Sequence, residues 1–557
     1  MLNEFWYKNA IIYSLDLETF MDGNGDGVGD FAGLTRRLEY LHSLGVDVIW
    51  LAPFQPTPNK DNGYDIQDYY GVDDRHGSLG DFAEFMNLAN NLGIKVIIDL
   101  VINHTSDQHA WFQDARKGED ARYHDWYVWS KEKPEDWDEG VIFPGVQEAT
   151  WTKDKKAKAY YFHRFYDFQP DLNIGNPKVR EEINRIMGFY LSMGVAGFRV
   201  DAVPFVLETQ EPGTNGNRKI RFEYLEDMRR FLQWRNGSAI LLGEANIEPK
   251  EAKKYFGDKG GGLHLMFNFF VNQHLFYALA TGESQPLADA LEETAGIYPT
   301  AQWAHFLRNH DELDLGRLTD EQRQKVFDAF GPTKKMQLYE RGIRRRLAPM
   351  LGNRARIELA YSLMFALPGT PVMRYGDEIG MGDDLSLKER EAVRTPMQWS
   401  DEENAGFSSA EAKDLVHPVI NEGPYDYQML NVERQLREEG SLLTWTKRMV
   451  RLRKECPEIG YGEWEILKTK VPSVLAMTYR YRSTLVLILH NFAGGPVVIR
   501  PKAFNDDPTP LVDLIEPLEI ELDEKGGYEI RIGSYGYRWF RLRGVKPVMS
   551  TPAKAGK

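Results

Sequence analysis

Short, nearly unbroken apolar runs recur along the chain, separated by stretches whose apolar positions return every three or four residues. Ile11-Ile-Tyr13, Val46 to Leu51 and Lys95 to Val101 are runs of the first kind, and helical patterns over Leu34 to Leu44 and Leu79 to Leu92 lie between them. Strands apolar on both faces are those buried beneath helices, so the alternation predicts parallel pairing. Gly197 to Val203, Ile240 to Glu244, Leu265 to Phe269, Trp303 to Asn309 and Pro371 to Tyr375 bring the strands to eight, the number that closes a (β/α)8 barrel. The expected fold class is therefore α/β.

Two interruptions divide the chain. After His104 the alternation lapses into a segment rich in Trp, Tyr, Asp and Lys, too long for an ordinary connection. Residues 105–170 are read as an inserted subdomain after strand three, with the barrel over 1–104 and 171–465. From about Ile466 short β-like runs take over, such as Ser473 to Tyr479, Thr484 to Leu489 and Tyr535 to Leu542, punctuated by Gly, Pro and Asp. They predict a C-terminal antiparallel β-sandwich over 466–557, with a loose polar tail from Ser550 to Lys557.

Composition narrows the function. A formal charge of -15 opposes non-specific binding to nucleic acid, whose phosphates need a basic surface. No apolar stretch approaches the roughly 20 residues that span a bilayer. Cys456 is the single cysteine, and the start Met1-Leu-Asn-Glu-Phe-Trp lacks the basic-then-apolar pattern of a secretory signal, so a cytoplasmic location is the default.

Carboxylates cluster at the strand ends. Asp99, Asn103 and His104 follow strand three; Arg199 and Asp201 close the fourth; Glu244 closes the fifth; His310-Asp311 follow the seventh. Arg199 stands two positions before Asp201, so both side chains leave the same face, and the guanidinium is expected to keep Asp201 ionised for attack. Glu244 ends an apolar run, where desolvation would keep it protonated as a general acid. Glycosidic cleavage needs such a pair, and Asp311 with His310 suits the clamping of two sugar hydroxyls as the ring flattens. Gly63-Tyr64-Asp65, Gln169-Pro-Asp171-Leu-Asn173 and Arg394 to Trp399 add groups able to bind the hydroxyls of one pyranose. Asp22, Asn24, Asp26 and Asp30 set four oxygen-bearing side chains on a glycine-loosened loop, as a hard cation such as calcium requires.

Together these motifs resemble the α-amylase superfamily of retaining glycoside hydrolases and transglycosidases, over nearly the whole chain. The resemblance implies Asp201 as nucleophile, Glu244 as acid/base and Asp311 as transition-state stabiliser. It implies Asp65 and Arg394 as the pair closing the pocket beyond the non-reducing sugar, with His104, Gln169, Arg199 and His310 completing the first subsite. It also implies calcium on the loop from Asp22 to Asp30, with Val28 donating its carbonyl, and a second ion held by Asn103, Asp171, Glu208 and the carbonyls of Phe205 and Val206; no organic cofactor is implied. Gln169 to Asn173 resembles the branch acting on short α-glucosides, and Ala202 after the nucleophile resembles members preferring α-1,4 or α-1,1 linkages. Asp201-Ala-Val-Pro204, Glu244-Ala-Asn246 and Phe306 to Glu312 resemble most the members that interconvert maltose and trehalose by intramolecular glucosyl transfer. The alternative is an α-glucosidase, in which water takes the glucosyl group. A non-catalytic homologue is disfavoured because all three acids are present, and a polymer-acting amylase because Asp65 and Arg394 are expected to close one end of the cleft. The expected partner is a small α-glucoside, with neither nucleic acid nor membrane, and self-association is left open.

Overall fold

The computed structural model describes residues 3–209, 219–257, 259–502, 504, 509–524 and 526–543. All eight expected strands form: β1 (Ile12–Leu15), β2 (Val48–Leu51), β3 (Lys95–Leu100), β4 (Gly197–Val200), β5 (Ile240–Gly243), β6 (Leu265–Phe267), β7 (Gln302–Phe306) and β8 (Thr370–Arg374). Each pairs in parallel with its neighbours in the order β1-β8-β7-β6-β5-β4-β3-β2, and the sheet closes on itself. Because side chains alternate across a strand, one set fills the barrel and the other meets the helices. Ile12, Val48, Trp50, Ile97, Leu242, Phe267, Phe306 and Val372 pack together in one cluster, while Tyr13, Ile49, Ile98, Phe198, Leu241 and Met266 join the larger core around it.

The pattern read over Leu34 to Leu44 is two helices, Phe31–Arg36 and Leu38–Leu44, parted at Arg37. Asp30 starts the first by accepting from Gly33 N at 2.6 Å, and Gly45, at φ 93°, ends the second in the left-handed conformation that costs glycine little.

The insertion carries a three-stranded antiparallel sheet in the order Trp129–Ser130, Ala159–Phe162, Trp151–Asp154. Bridges from His104 to Asp171 and from Tyr127 to Leu172 bind its two ends to each other, so it rises from one place on the rim. The C-terminal unit is a six-stranded antiparallel sheet that begins at Glu463, with a two-stranded sheet of Val497–Ile499 and Ile530–Ile532. One face of the large sheet, with Met477, Tyr479, Ile488 and Trp539, extends the barrel core; the other, with Leu485, Leu487, Phe540 and Leu542, forms a core of its own. The tail from Ser550 lies outside the described residues.

Candidate active site

A single buried cation organises the carboxyl ends of the strands. Arg199, 1% exposed, donates from Nη1 to Asp99 Oδ1 and to Asp201 Oδ1 at 2.5 Å each, and its Nη2 lies 2.8 Å from Glu244 Oε2. The register explains the convergence: Arg199 is opposite Asp99 on β3 and opposite Leu242 on β5. Trp50 Nε1 donates to the other oxygen of Asp99 at 2.9 Å, and the guanidinium lies 5.2 Å from the centre of the Trp50 ring.

Three carboxyls facing one guanidinium in a dry pocket cannot all be charged without strain. Burial lifts Asp99 and Asp201 to about 6 and Glu244 to about 7, against the lowering effect of Arg199, which itself is held charged. Arg199 was expected to hold Asp201 ionised; it does lower Asp201, but desolvation is the larger effect and leaves the group above the ordinary carboxylate value. Asp201 and Glu244 meet on the same guanidinium, and Glu244 stands the higher because the charges of Asp201 and Asp311 add to its burial, so Asp201 loses its proton first.

The turn after Asp201 fixes this contact. Ala202 takes φ 46°, a left-handed conformation that costs a non-glycine residue roughly 1–2 kcal/mol. Its N–H thereby donates to Glu244 Oε2 at 3.1 Å.

Asp311 approaches from the other side. Burial alone would raise its pKa, but Arg390 Nη1 and Arg394 Nη2, each 3.2 Å from Oδ1, hold it well below the usual carboxylate range. His310, which burial lowers to about 3, is neutral; its Nε2 donates to the Tyr64 hydroxyl at 2.9 Å, and that hydroxyl donates to Asp99 Oδ2 at 3.3 Å. His104 Nε2 donates to the carbonyl of Tyr64 at 2.9 Å, and Asn103 Nδ2 donates to the other ring nitrogen at 3.3 Å.

Asp201, Glu244, Asp311, His104 and His310 line one cavity of about 570 Å³, with Arg199 beneath it. Asp65, Gln169 and Arg394, expected on that lining, are not on it. Asp65 is fully buried and accepts from Lys60 N, Asp61 N and Thr57 Oγ1, bracing the loop behind the pocket. The carboxylate on the lining is Asp61, which burial raises to about 6 and which Gln169 Nε2 holds at 2.8 Å. Gln169 therefore acts through Asp61, being itself fully buried. Likewise Arg394 lies under Asp311, donating from Nε to the carbonyl of His310 at 2.9 Å, and the guanidinium on the lining is that of Arg390. Each motif offers the same residue type twice at a spacing of four, and the sequence carries no sign of which one faces inward.

An aromatic cluster beside the cavity was absent from the sequence reading altogether. Phe143 of the insertion lies with its ring centre 4.9 Å from those of Tyr166 and Tyr339, and the Arg390 guanidinium is 4.9 Å from it. The hydroxyls of Tyr166 and Tyr339 both donate to Glu389 Oε2, at 3.2 and 3.0 Å. Three separate segments thus meet beside the cavity, with Phe143 and Arg390 on its lining. Only the aromatic richness of the insertion hinted at them.

In the loop from Asp22 to Asp30, Asp22 accepts from the backbone N–H groups of Asn24, Gly25 and Gly27, and Asp30 from those of Gly23, Asn24 and Gly33. Among the described residues neither carboxylate has a Lys or Arg partner, and the charge of Asp22 adds to the burial that raises Asp30. That is an all-oxygen donor set with uncompensated negative charge. No three His, Cys, Asp or Glu side chains are arranged to hold a metal ion, there or elsewhere among the described residues, so a cation on this loop would need backbone and amide oxygens as well. In the second set Asn103 bonds Asp171, which burial raises to about 7, while the Arg164 guanidinium donates to Glu208 Oε2 at 2.7 Å.

A family model described as the alpha amylase catalytic domain matches residues 17–462. Trehalose synthase of Thermus thermophilus is 42% identical over 561 residues, covering 99% of this chain and 57% of its own length, so the chain spans little more than half of that relative. Trehalose synthase of Pimelobacter sp. (strain R48) is 40% identical, covering 96% of both chains. Among solved structures, the trehalulose synthase MutB of Pseudomonas mesoacidophila MX-45 superposes with a TM-score of 0.74 at 25% identity, covering 97% of this chain and 99% of that one.

Proposed function

From the premise that this chain belongs to the alpha-amylase family, we propose that it is a retaining transglucosidase that interconverts maltose and trehalose, with some hydrolysis. The observation that carries the chemistry is the meeting of Asp201 Oδ1 and Glu244 Oε2 on the two amino nitrogens of one guanidinium, at 2.5 and 2.8 Å. Inverting enzymes separate their two carboxyls by about 6.5–9.5 Å to admit a water, whereas adjacent carboxyls suit a covalent route.

Asp201 attacks the anomeric carbon as Glu244 delivers its proton to the glucosidic oxygen; that bond breaks and a β-glucosyl ester forms. Asp311, held anionic by two guanidiniums, faces the ring as positive charge develops on it. In the second step an acceptor hydroxyl attacks the ester carbon, Glu244 removes its proton and Asp201 departs, so configuration is retained. Asp61 and Arg390 bind the hydroxyls at the closed end of the pocket, where Asp65 and Arg394 had been expected. His104 and His310, both neutral, contribute N–H and ring contacts without charge.

When released glucose is the acceptor, attack through its anomeric hydroxyl converts maltose into trehalose. The cluster of Phe143, Tyr166, Tyr339 and Glu389, which reaches the cavity lining through Phe143, is proposed as the roof that keeps water from the ester while the glucose turns. Proton NMR of maltose digests tests the reading: an α,α-linked product is expected, and glucose alone would overturn it.

Calcium is proposed on the loop, held by Asp22, Asn24, Asp26, Asp30 and the carbonyl of Val28, where its charge would pin the loop; a second ion is proposed at Asn103, Asp171, Glu208 and the carbonyls of Phe205 and Val206, beside Arg164. Metal analysis reads both, with two ions per chain expected and one removing the second site. No helix among the described residues is long and apolar enough to cross a membrane. A cytoplasmic location is proposed on the single, buried Cys456, which leaves no partner for an intramolecular disulfide in this sequence, and cell fractionation tests it.

A further inference from the structure

On the outer wall of the barrel, helices Pro177–Ser192 and Glu223–Arg235 enclose an open cavity of about 700 Å³ that the barrel chemistry does not use. The helices meet where a Cβ at Gly188 would stand 3.5 Å from Phe231 Cζ. Trp234, also on the lining, is 88% exposed, more than any other large apolar side chain described. Asn184 and Tyr224 also line it; Asn184 Oδ1 and the Tyr224 hydroxyl are closed to solvent and have no hydrogen-bond partner among the described residues. An unsatisfied buried polar group costs about 1–3 kcal/mol. Arg180, close enough to Tyr224 to influence its titration, has no ion-pair partner among the described residues.

An indole face bordered by a side-chain amide and an uncommitted guanidinium matches the two surfaces of a sugar: an apolar C–H face to stack and a ring of hydroxyls to bond. We propose that this cavity is a second saccharide site, with a pyranose stacked on Trp234 and its hydroxyls bonded by Arg180 and the side-chain amide of Asn184. Both acids of the lining are engaged, Asp227 by Arg230 at 3.4 Å and Glu181 by Arg185 at 2.6 Å, and the Arg235 guanidinium lies 5.4 Å from the centre of the Phe231 ring, which leaves Arg180 to meet the ligand. The site is independent of turnover in the barrel.

The test uses the full-length Asp201→Ala chain carrying 5-fluorotryptophan, with the Trp234 resonance assigned by Trp234→Phe. Maltoheptaose is expected to shift that resonance saturably, more strongly at equal concentration than maltose. A stronger response to glucose 6-phosphate would keep the pyranose but assign Arg180 to a phosphate. No response to any of the three, while the barrel resonance of Trp50 moves, would overturn the proposal. Trp234→Ala in the otherwise unaltered enzyme is expected to leave kcat for maltose unchanged while abolishing retardation in glucan-containing gels. If sedimentation showed instead that Trp234→Ala only dissociates a dimer, with glucan binding intact, the surface would be an interface between copies and the proposal would fall.

Discussion

Asp201 Oδ1 and Glu244 Oε2 rest on the two amino nitrogens of the Arg199 guanidinium, 2.5 and 2.8 Å away. The pair has unequal proton affinities, and that inequality is what an acid and a nucleophile require. Glu244, raised to about 7, keeps the proton; Asp201, raised to about 6, gives it up.

A bell-shaped pH profile follows. kcat/KM for maltose is expected to fall below about pH 6, where Asp201 becomes protonated, and above about pH 7, where Glu244 loses its proton. Because the groups share Arg199, the limbs report the pair and not either residue alone. Initial rates across pH 4.5–9 check this, and a flat profile through pH 7–8 would separate Glu244 from the acid role.

The same shifts act on stability. Glu244 has a folded pKa above its ordinary value of 4.5, so its stabilising share is fully present below that value and is lost as pH rises through about 7. Calorimetry is expected to show the wild-type melting temperature falling relative to Glu244→Gln between pH 5 and 8, since the amide cannot ionise. Parallel curves would contradict the burial argument.

Removing each acid has a distinct signature. Glu244→Gln is expected to lower kcat on maltose by about 10²–10⁴-fold, the usual worth of a positioned acid, and far less on an aryl glucoside whose leaving group needs no proton. Asp201→Ala is expected to lose both activities. Equal losses on the two substrates in Glu244→Gln would argue against proton donation.

The displaced pair separates binding from bracing. Asp61→Asn is expected to reduce kcat/KM with little change in melting temperature, whereas Asp65→Asn, which disturbs three donors, is expected to destabilise by about 1–3 kcal/mol. The reverse pattern in unfolding and steady-state measurements would restore Asp65 to the pocket.

Opening the roof should redirect the glucosyl group. Tyr339→Phe removes one of the two hydroxyls on Glu389, so the share of free glucose among maltose products is expected to rise while total turnover holds. An unchanged glucose to trehalose ratio would deny the roof any part in excluding water.

Much was legible in the order of residues. Eight apolar runs placed the barrel strands because a strand buried on both faces must be apolar throughout, and the spacing of two between Arg199 and Asp201 set them on one face because side chains alternate. These are local periodicities that a linear chain carries in full. What depended on contact across the fold was not legible. Asp61 and Asp65, or Arg390 and Arg394, are equivalent in a linear reading, and only the packing of their loops against Gln169, Thr57 and Asp311 gives one the cavity and the other the interior. Phe143, Tyr339 and Glu389 meet from segments far apart in the chain, so no local pattern announces the roof. The proton order of Asp201 and Glu244 is likewise decided by burial and a shared cation, properties that come into being only when the strands close.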